Sequence, residues 1–174
     1  MGIADLDLVR TTNSIRMDLL GGEVVETKPS AKKHGVRKGD DNMRRSRIVA
    51  AALIRHVCAC SPGLLVYEAQ SFGMKGVIAA RQAGTAFGII AAIAEANGLP
   101  MLCVTPGDIK RAVCPDTPKA TKDDVILAVE RLWPAVKWPA KRDNYEHLAD
   151  AIAAGWACRD DELVRAVLLA ERAA

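Results

Sequence analysis

The sequence predicts one α/β domain, a mixed β-sheet with helices on its faces. Three observations carry that prediction. The N-terminal stretch alternates apolar and polar residues between turn-forming ones. A short apolar run in mid-chain, Leu64-Leu65-Val66-Tyr67, stops at Glu68. Segments of helical periodicity lie between and after them.

Gly2 to Leu8 alternates and reads as a first strand, with Asp5 and Asp7 two residues apart on one face. Thr11-Thr12-Asn13 supplies turn chemistry. Ser14 to Leu20 predicts a second strand, Gly21-Gly22 a tight turn, and Glu23 to Lys28 a third strand. The segment from Lys28 to Asp41 has no periodicity and reads as a basic loop. From Asn42 to Cys60 the spacing is helical, with Arg44, Arg45 and Arg47 in the first turns. There they oppose the helix dipole, so they are either a solvated basic face or placed for a ligand.

Pro62-Gly63 precedes the central strand, whose four apolar residues in a row suit burial on both faces. A carboxylate at the end of such a strand is costly without a partner, and that end of an open α/β sheet is where ligands bind. Glu68 is therefore either the tip of a site or a strand-end residue facing water. Val77 to Ala96 predicts a long helix with Gly84 and Gly88 four apart, a spacing that suits a close backbone approach by the sheet or a second subunit. Pro100 to Val104 gives a fifth strand. Thr105-Pro106-Gly107-Asp108 opens a short helix, and Thr121 caps another to Leu132. A Pro-rich loop follows, then a core helix from Tyr145 to Cys158 and a terminal helix from Asp160 to Ala173. Five strands result, three antiparallel and two parallel.

The 174 residues suffice for one domain with a full core. A net charge of +3 permits nucleic acid as a partner without requiring it. The five cysteines lack the spacing of a zinc or redox motif, which predicts free, mostly buried thiols in a cytosolic protein. The longest apolar stretch, Gly84 to Ala94, is too short to span a bilayer.

On the last core helix, His147 and Asp150 are three apart and share a face. They are either a partly exposed helix start or half of a metal site. Joined with Asp7 and Glu68, they would make a set of hard oxygen ligands with one imidazole. Such a set suits Mg²⁺, or Mn²⁺ in its place, better than zinc. Two such ions about 4 Å apart can activate water for phosphodiester cleavage.

The order strand-Asp, strand-Glu, helix-His-x-x-Asp resembles the RuvC-type Holliday junction resolvases of the ribonuclease H-like superfamily. The resemblance is most specific over residues 64–158. Tyr67-Glu68-Ala69-Gln70-Ser71-Phe72-Gly73 is similar to the family's central strand and following loop, and Arg81 to Gly88 to its dimer helix. Thr105-Pro-Gly-Asp-Ile-Lys110 with Lys119-Ala-Thr-Lys122-Asp-Asp-Val125 resembles its DNA-approaching segment. His147-Leu-Ala-Asp-Ala-Ile152 resembles its metal-binding helix.

The resemblance implies a ribonuclease H-like domain over residues 1–158, with 159–174 as an added helix of that domain. It further implies a homodimer that nicks four-way junctions symmetrically, with Asp7, Glu68, His147 and Asp150 as catalytic ligands of two Mg²⁺ ions. Lys110 and Lys122 would contact DNA backbone. Phe72 would wedge against a base or else anchor its loop, and Arg44 and Arg45 would add basic surface. The N-terminus departs from the family pattern, with Ser14 where Gly is usual. Asp5 is the alternative ligand there. A third reading makes Gly2-Ile3-Ala4-Asp5 the second strand, with the first strand and its ligand absent. The rival functions are another ribonuclease H-like nuclease, acting on flaps, hybrids or ribosomal RNA precursors, and a non-catalytic junction-binding protein.

Overall fold

The structure, a computed structural model, describes residues 1–10, 15–30, 35–69 and 76–171. Its elements run β1 (Gly2–Arg10), β2 (Ile15–Val24), α1 (Lys38–Cys60), β3 (Leu65–Glu68), α2 (Val77–Ala96), β4 (Met101–Val104), α3 (Pro106–Val113), α4 (Lys122–Leu132), α5 (Tyr145–Ala157) and α6 (Glu162–Glu171). A 3₁₀ turn over Arg142–Asn144 leads into α5.

Among the described residues the strands form two separate pairs. β1 and β2 are antiparallel, and β3 and β4 are parallel. The expected three-stranded opening is corrected to two strands, because β2 runs straight through Gly21-Gly22. The ladder passes from Asp5↔Gly21 to Leu6↔Leu19, which leaves Leu20 unpaired and 67% exposed. The glycines thus sit beside a β-bulge and not in a hairpin turn. They also admit α5. A Cβ on Gly22 would stand 2.8 Å from Leu148 Cδ1 and 3.0 Å from the Ile3 carbonyl.

Because the extra residue lies on β2, β1 keeps its alternation. Ala4, Leu6 and Leu8 pack on the α5 side of the molecule. Asp5 points the other way, toward His56 of α1. Gly2 lies against the His147 carbonyl and Leu6 against Gly155, so β1 runs along α5 from its first turn to its last. Four residues of α5, Leu148, Ala149, Ile152 and Ala153, are at most 2% exposed. They form the centre of the larger core, with Ile109, Val125 and Val129 from α3 and α4 and Val164 from α6. A smaller core joins Leu53 and Val57 of α1 to Ile93 of α2, with Leu65 of β3 against it. Helices therefore flank the strands on both sides.

Local chemistry explains several helix starts. Thr105 and Thr121 each accept from the backbone N–H three residues on, while Asp108 and Asp124 reach back to the capping residue's own N–H. These reciprocal boxes satisfy donors that helix starts otherwise leave unpaired. Helix α1 begins at Lys38, four residues before the sequence suggested, so Asp40 and Asp41 occupy its first turn and suit the dipole. Trp133 closes the Pro-rich loop by donating its indole N–H to the Met17 carbonyl at 2.9 Å.

The five cysteines are free, as expected, but not mostly buried. Cys58, Cys60 and Cys103 are exposed, Cys114 is intermediate and Cys158 is buried. Burial pushes the Cys158 thiol up to about 11. The contact of β1 with α5 has little room to spare. Gly155→Val should cost about 1–3 kcal/mol by overpacking against Leu6, which denaturant unfolding at neutral pH would measure.

Candidate active site

Glu68 is placed by β3. Leu65 packs toward α1 and α2 and Val66 toward the larger core. Tyr67 rests on Phe87 of α2, with ring centroids 5.2 Å apart. Ala69 extends the ladder by donating to the Val104 carbonyl at 2.7 Å, so the backbone is still held where the carboxylate emerges. Asp150 is placed by α5, at the border of the face that buries Ala149 and Ile152.

The structure brings these two carboxylates together. Solvent reaches Glu68, yet protein walls it closely. That desolvation first, and the charge of Asp150 second, push its pKa up to about 7, with Lys122 opposing. Asp150 is pushed up to about 6, by desolvation first and by Glu146 second, with Lys122 and Lys110 opposing. Lys122 donates to Glu146 Oε2 at 2.7 Å. His147 is exposed at the same helix start. Desolvation, and then the chain's N-terminal ammonium, hold it below its ordinary value.

Asp7 does not join this pair. It is exposed on the β1 face that looks away from α5, directly across the ladder from Asp18, which accepts from Arg16 Nε at 2.9 Å. Strand alternation places it there, and no rotamer moves it to the other face. Asp5 has a different occupation. Its carboxylate lies 2.8 Å from His56 Nδ1, and Nε2 of the same ring lies 3.0 Å from Glu23 Oε1. This bridge ties α1 to both strands. The sequence reading missed it because the pairing of Ile3 with Glu23 depends on the bulge.

The remaining predicted residues fall in three groups. Lys110 and Lys122 flank the carboxylates, as their effect on Asp150 shows. Arg44 donates to Asp41 Oδ1 and the Lys28 carbonyl, and Arg45 to Thr27 Oγ1, so both fasten the β2–α1 connection. Phe72 lies outside the described residues.

Among the described residues no three His, Cys, Asp or Glu side chains come together as metal ligands. Glu68 and Asp150 nevertheless fit a divalent cation in kind. They are hard oxygen donors, close and partly desolvated, and each raises the cost of ionising its surroundings until a cation neutralises it. They fall short in number, since such an ion takes six or more donors, of which water supplies only some.

No protein-family model and no curated protein sequence matches the chain. Solved structures do. The structure of RuvC from Thermus thermophilus superposes with a TM-score of 0.65 at 23% identity, covering 90% of this chain and 92% of that one. The same protein in complex with Holliday junction substrate gives 0.64 at 22% identity, with the same coverage. The chain has the α/β fold of RuvC. A single five-stranded sheet is not seen, since the four described strands stay in two pairs.

Both carboxylates have folded-state pKa values above their unfolded ones. Their contribution to stability is therefore fully present below about pH 4 and is lost as pH rises through about 6 and 7. In metal-free buffer at pH 8, Glu68→Gln should raise the melting temperature by about 2–4 °C, after allowance for solvent screening. At pH 4 it should change little. Added Mg²⁺ at pH 8 should stabilise the parent chain and not the variant, a difference that scanning calorimetry reads directly.

Proposed function

We propose that the chain is a structure-selective endonuclease of branched DNA, a crossover junction endodeoxyribonuclease that nicks a four-way junction at two symmetric positions. The observation that carries this reading is the pair Glu68 and Asp150, held above the ordinary carboxylate range beside Lys110 and Lys122. It is supported by a fold shared with a protein solved on Holliday junction substrate. Glu68 and Asp150, with His147 beside them, would hold Mg²⁺, or Mn²⁺ in its place. A bound divalent ion of this type supplies Lewis acidity and an activated water for phosphodiester hydrolysis. Lys110 and Lys122 would meet DNA phosphates, which positions the duplex without reading its sequence.

A dimer belongs to the same proposal. Helix α2 has a mean hydropathy of 1.6 over its most apolar window, only 17% of which is buried. By length and composition it is long enough to cross a membrane, unlike the shorter stretch weighed from the sequence. It carries Arg81 and Glu95, however, and its inner residues pack on α1. Val77 is 85% and Ile78 64% exposed, and a Cβ on Gly84 or Gly88 would meet nothing within 4 Å. A second copy lying on this face would cover it, and two sites related by a two-fold axis suit a junction with the same symmetry. We read this surface as a dimer face and not as a membrane span.

The two-donor site favours one second reading, a junction-binding protein that does not cut. A synthetic four-way junction in Mg²⁺, run beside linear duplex and a flap, separates the two. Paired nicks on the junction alone, reduced more than about 100-fold by Asp150→Asn, establish the nuclease. Binding without nicks establishes the second reading. Ile78→Glu should convert the dimer to monomer in sedimentation, while leaving the melting temperature within about 2 °C.

A further inference from the structure

Beside Glu68 and Asp150 stands a third carboxylate, which neither the core nor the metal reading employs. Glu146 lies in the first turn of α5, four residues before Asp150 and so on the same face of the helix. Its Oε2 accepts from Lys122 Nζ at 2.7 Å, and the pair bridges α5 to the first residue of α4. Among the described residues each is the other's only ion-pair partner. Neighbouring cations are engaged elsewhere, Lys141 with Glu26 at 2.7 Å and Arg142 with Asp123 at 3.8 Å. Lys110, the second lysine near the carboxylates, makes no ion pair among the described residues.

Stability does not account for this pair. Lys122 opens α4, where a cation opposes the helix dipole, and its side chain is 71% exposed, so the bond adds little to the fold. What the bond settles is where the ammonium stands. The capping box at Thr121 fixes the start of α4, but a flexible four-carbon stem leaves the head of Lys122 free to reach solvent. Glu146 draws it inward. The ammonium is held above its ordinary range by the bond to Glu146 first, with partial burial opposing, and by the charges of Asp150 and Glu68 besides. Glu146 occupies one of its three donors, which leaves two for a phosphate oxygen.

We infer that Glu146 is a positioning residue, which stations the Lys122 ammonium beside Glu68 and Asp150 to meet a DNA phosphate there. The inference rests on the nuclease reading and extends it to a residue that acts through another. A carboxylate on a surface that receives DNA repels the backbone. Its presence opposes binding, and the placement of Lys122 offsets this where the phosphate reacts.

The test is a double-mutant cycle on a four-way junction in Mg²⁺, read as cleavage rate at saturating protein and as Kd. Glu146→Gln should lower the rate about 10-fold while leaving the Kd unchanged or tighter. In a Lys122→Ala background the same substitution should change the rate by less than about 2-fold, and in a Lys110→Ala background again by about 10-fold. Glu146→Asp, which keeps the charge, should recover part of the loss. The melting temperature of Glu146→Gln should stay within about 2 °C of the parent's. A tighter Kd with an unchanged rate overturns the inference, since Glu146 then only repels DNA. Equal losses in both lysine backgrounds overturn it too. Without DNA, the Lys122 ammonium should give a cross-peak in a cold side-chain NMR spectrum that Glu146→Gln removes, because exchange with water slows only for a held proton. Absence of that cross-peak from the parent chain overturns the inference. A chain that binds junctions without nicking them refutes the nuclease, and the cross-peak then upholds or overturns the placement of Lys122 by itself.

Discussion

Helix α5 lies so close to β1 that glycine is needed on both sides of the contact. Gly2 admits the His147 carbonyl, Gly22 admits Leu148 and Gly155 admits Leu6. No residue with a Cβ permits that approach without moving backbone or repacking the core. The same helix buries Leu148, Ala149, Ile152 and Ala153 almost completely, and α3, α4, β3 and α6 are arranged around it. Its rotation about its own axis is thereby fixed. That rotation decides that Asp150 emerges at the end of β3 and that His147 faces the start of β1.

The carboxylate pair is a consequence of this packing. An exposed aspartate costs the fold nothing, but Asp150 rises from a helix whose neighbouring residues are sealed, and Glu68 from a strand with protein on both faces. Each therefore loses hydration without gaining, among the described residues, a hydrogen bond that would compensate it. Lys110 and Lys122 offset part of the cost. The capping boxes at Thr105 and Thr121 have an indirect share in this, since they fix where α3 and α4 begin and hence where those lysines stand. The pair is thus destabilising by itself, and the cations at its rim only partly relieve it.

What the sequence revealed followed from local rules. The apolar run ending in Glu68, the 3.6-residue spacing of α5 and the two threonine caps depend on neighbours in the chain, and all were legible. The rest depended on register. Gly21-Gly22 reads as a turn by composition, and only the α5 contact shows that it flanks a bulge. With that bulge on β2, β1 keeps its alternation, which sends Asp7 to the face away from α5 and Asp5 to His56. A carboxylate on a strand can be recognised as a ligand candidate, but its face is set by what packs on the strand. The partners of Arg44 and Arg45 were hidden from the sequence for a related reason. Helix α1 starts earlier than the loop-like composition of residues 28–41 suggested, which turns both side chains onto the connection they fasten.

The pairing of β1 decides how its two aspartates are used. Among the described residues β1 pairs with β2 alone, its other edge faces a cavity, and the carboxylate it carries toward α1 is engaged by His56. Asp5 therefore ties α1 to the two strands, while Asp7, two residues further along the same face, is exposed. The site at the end of β3 rests instead on Glu68 and Asp150, carried by a strand and a helix that the larger core holds in place.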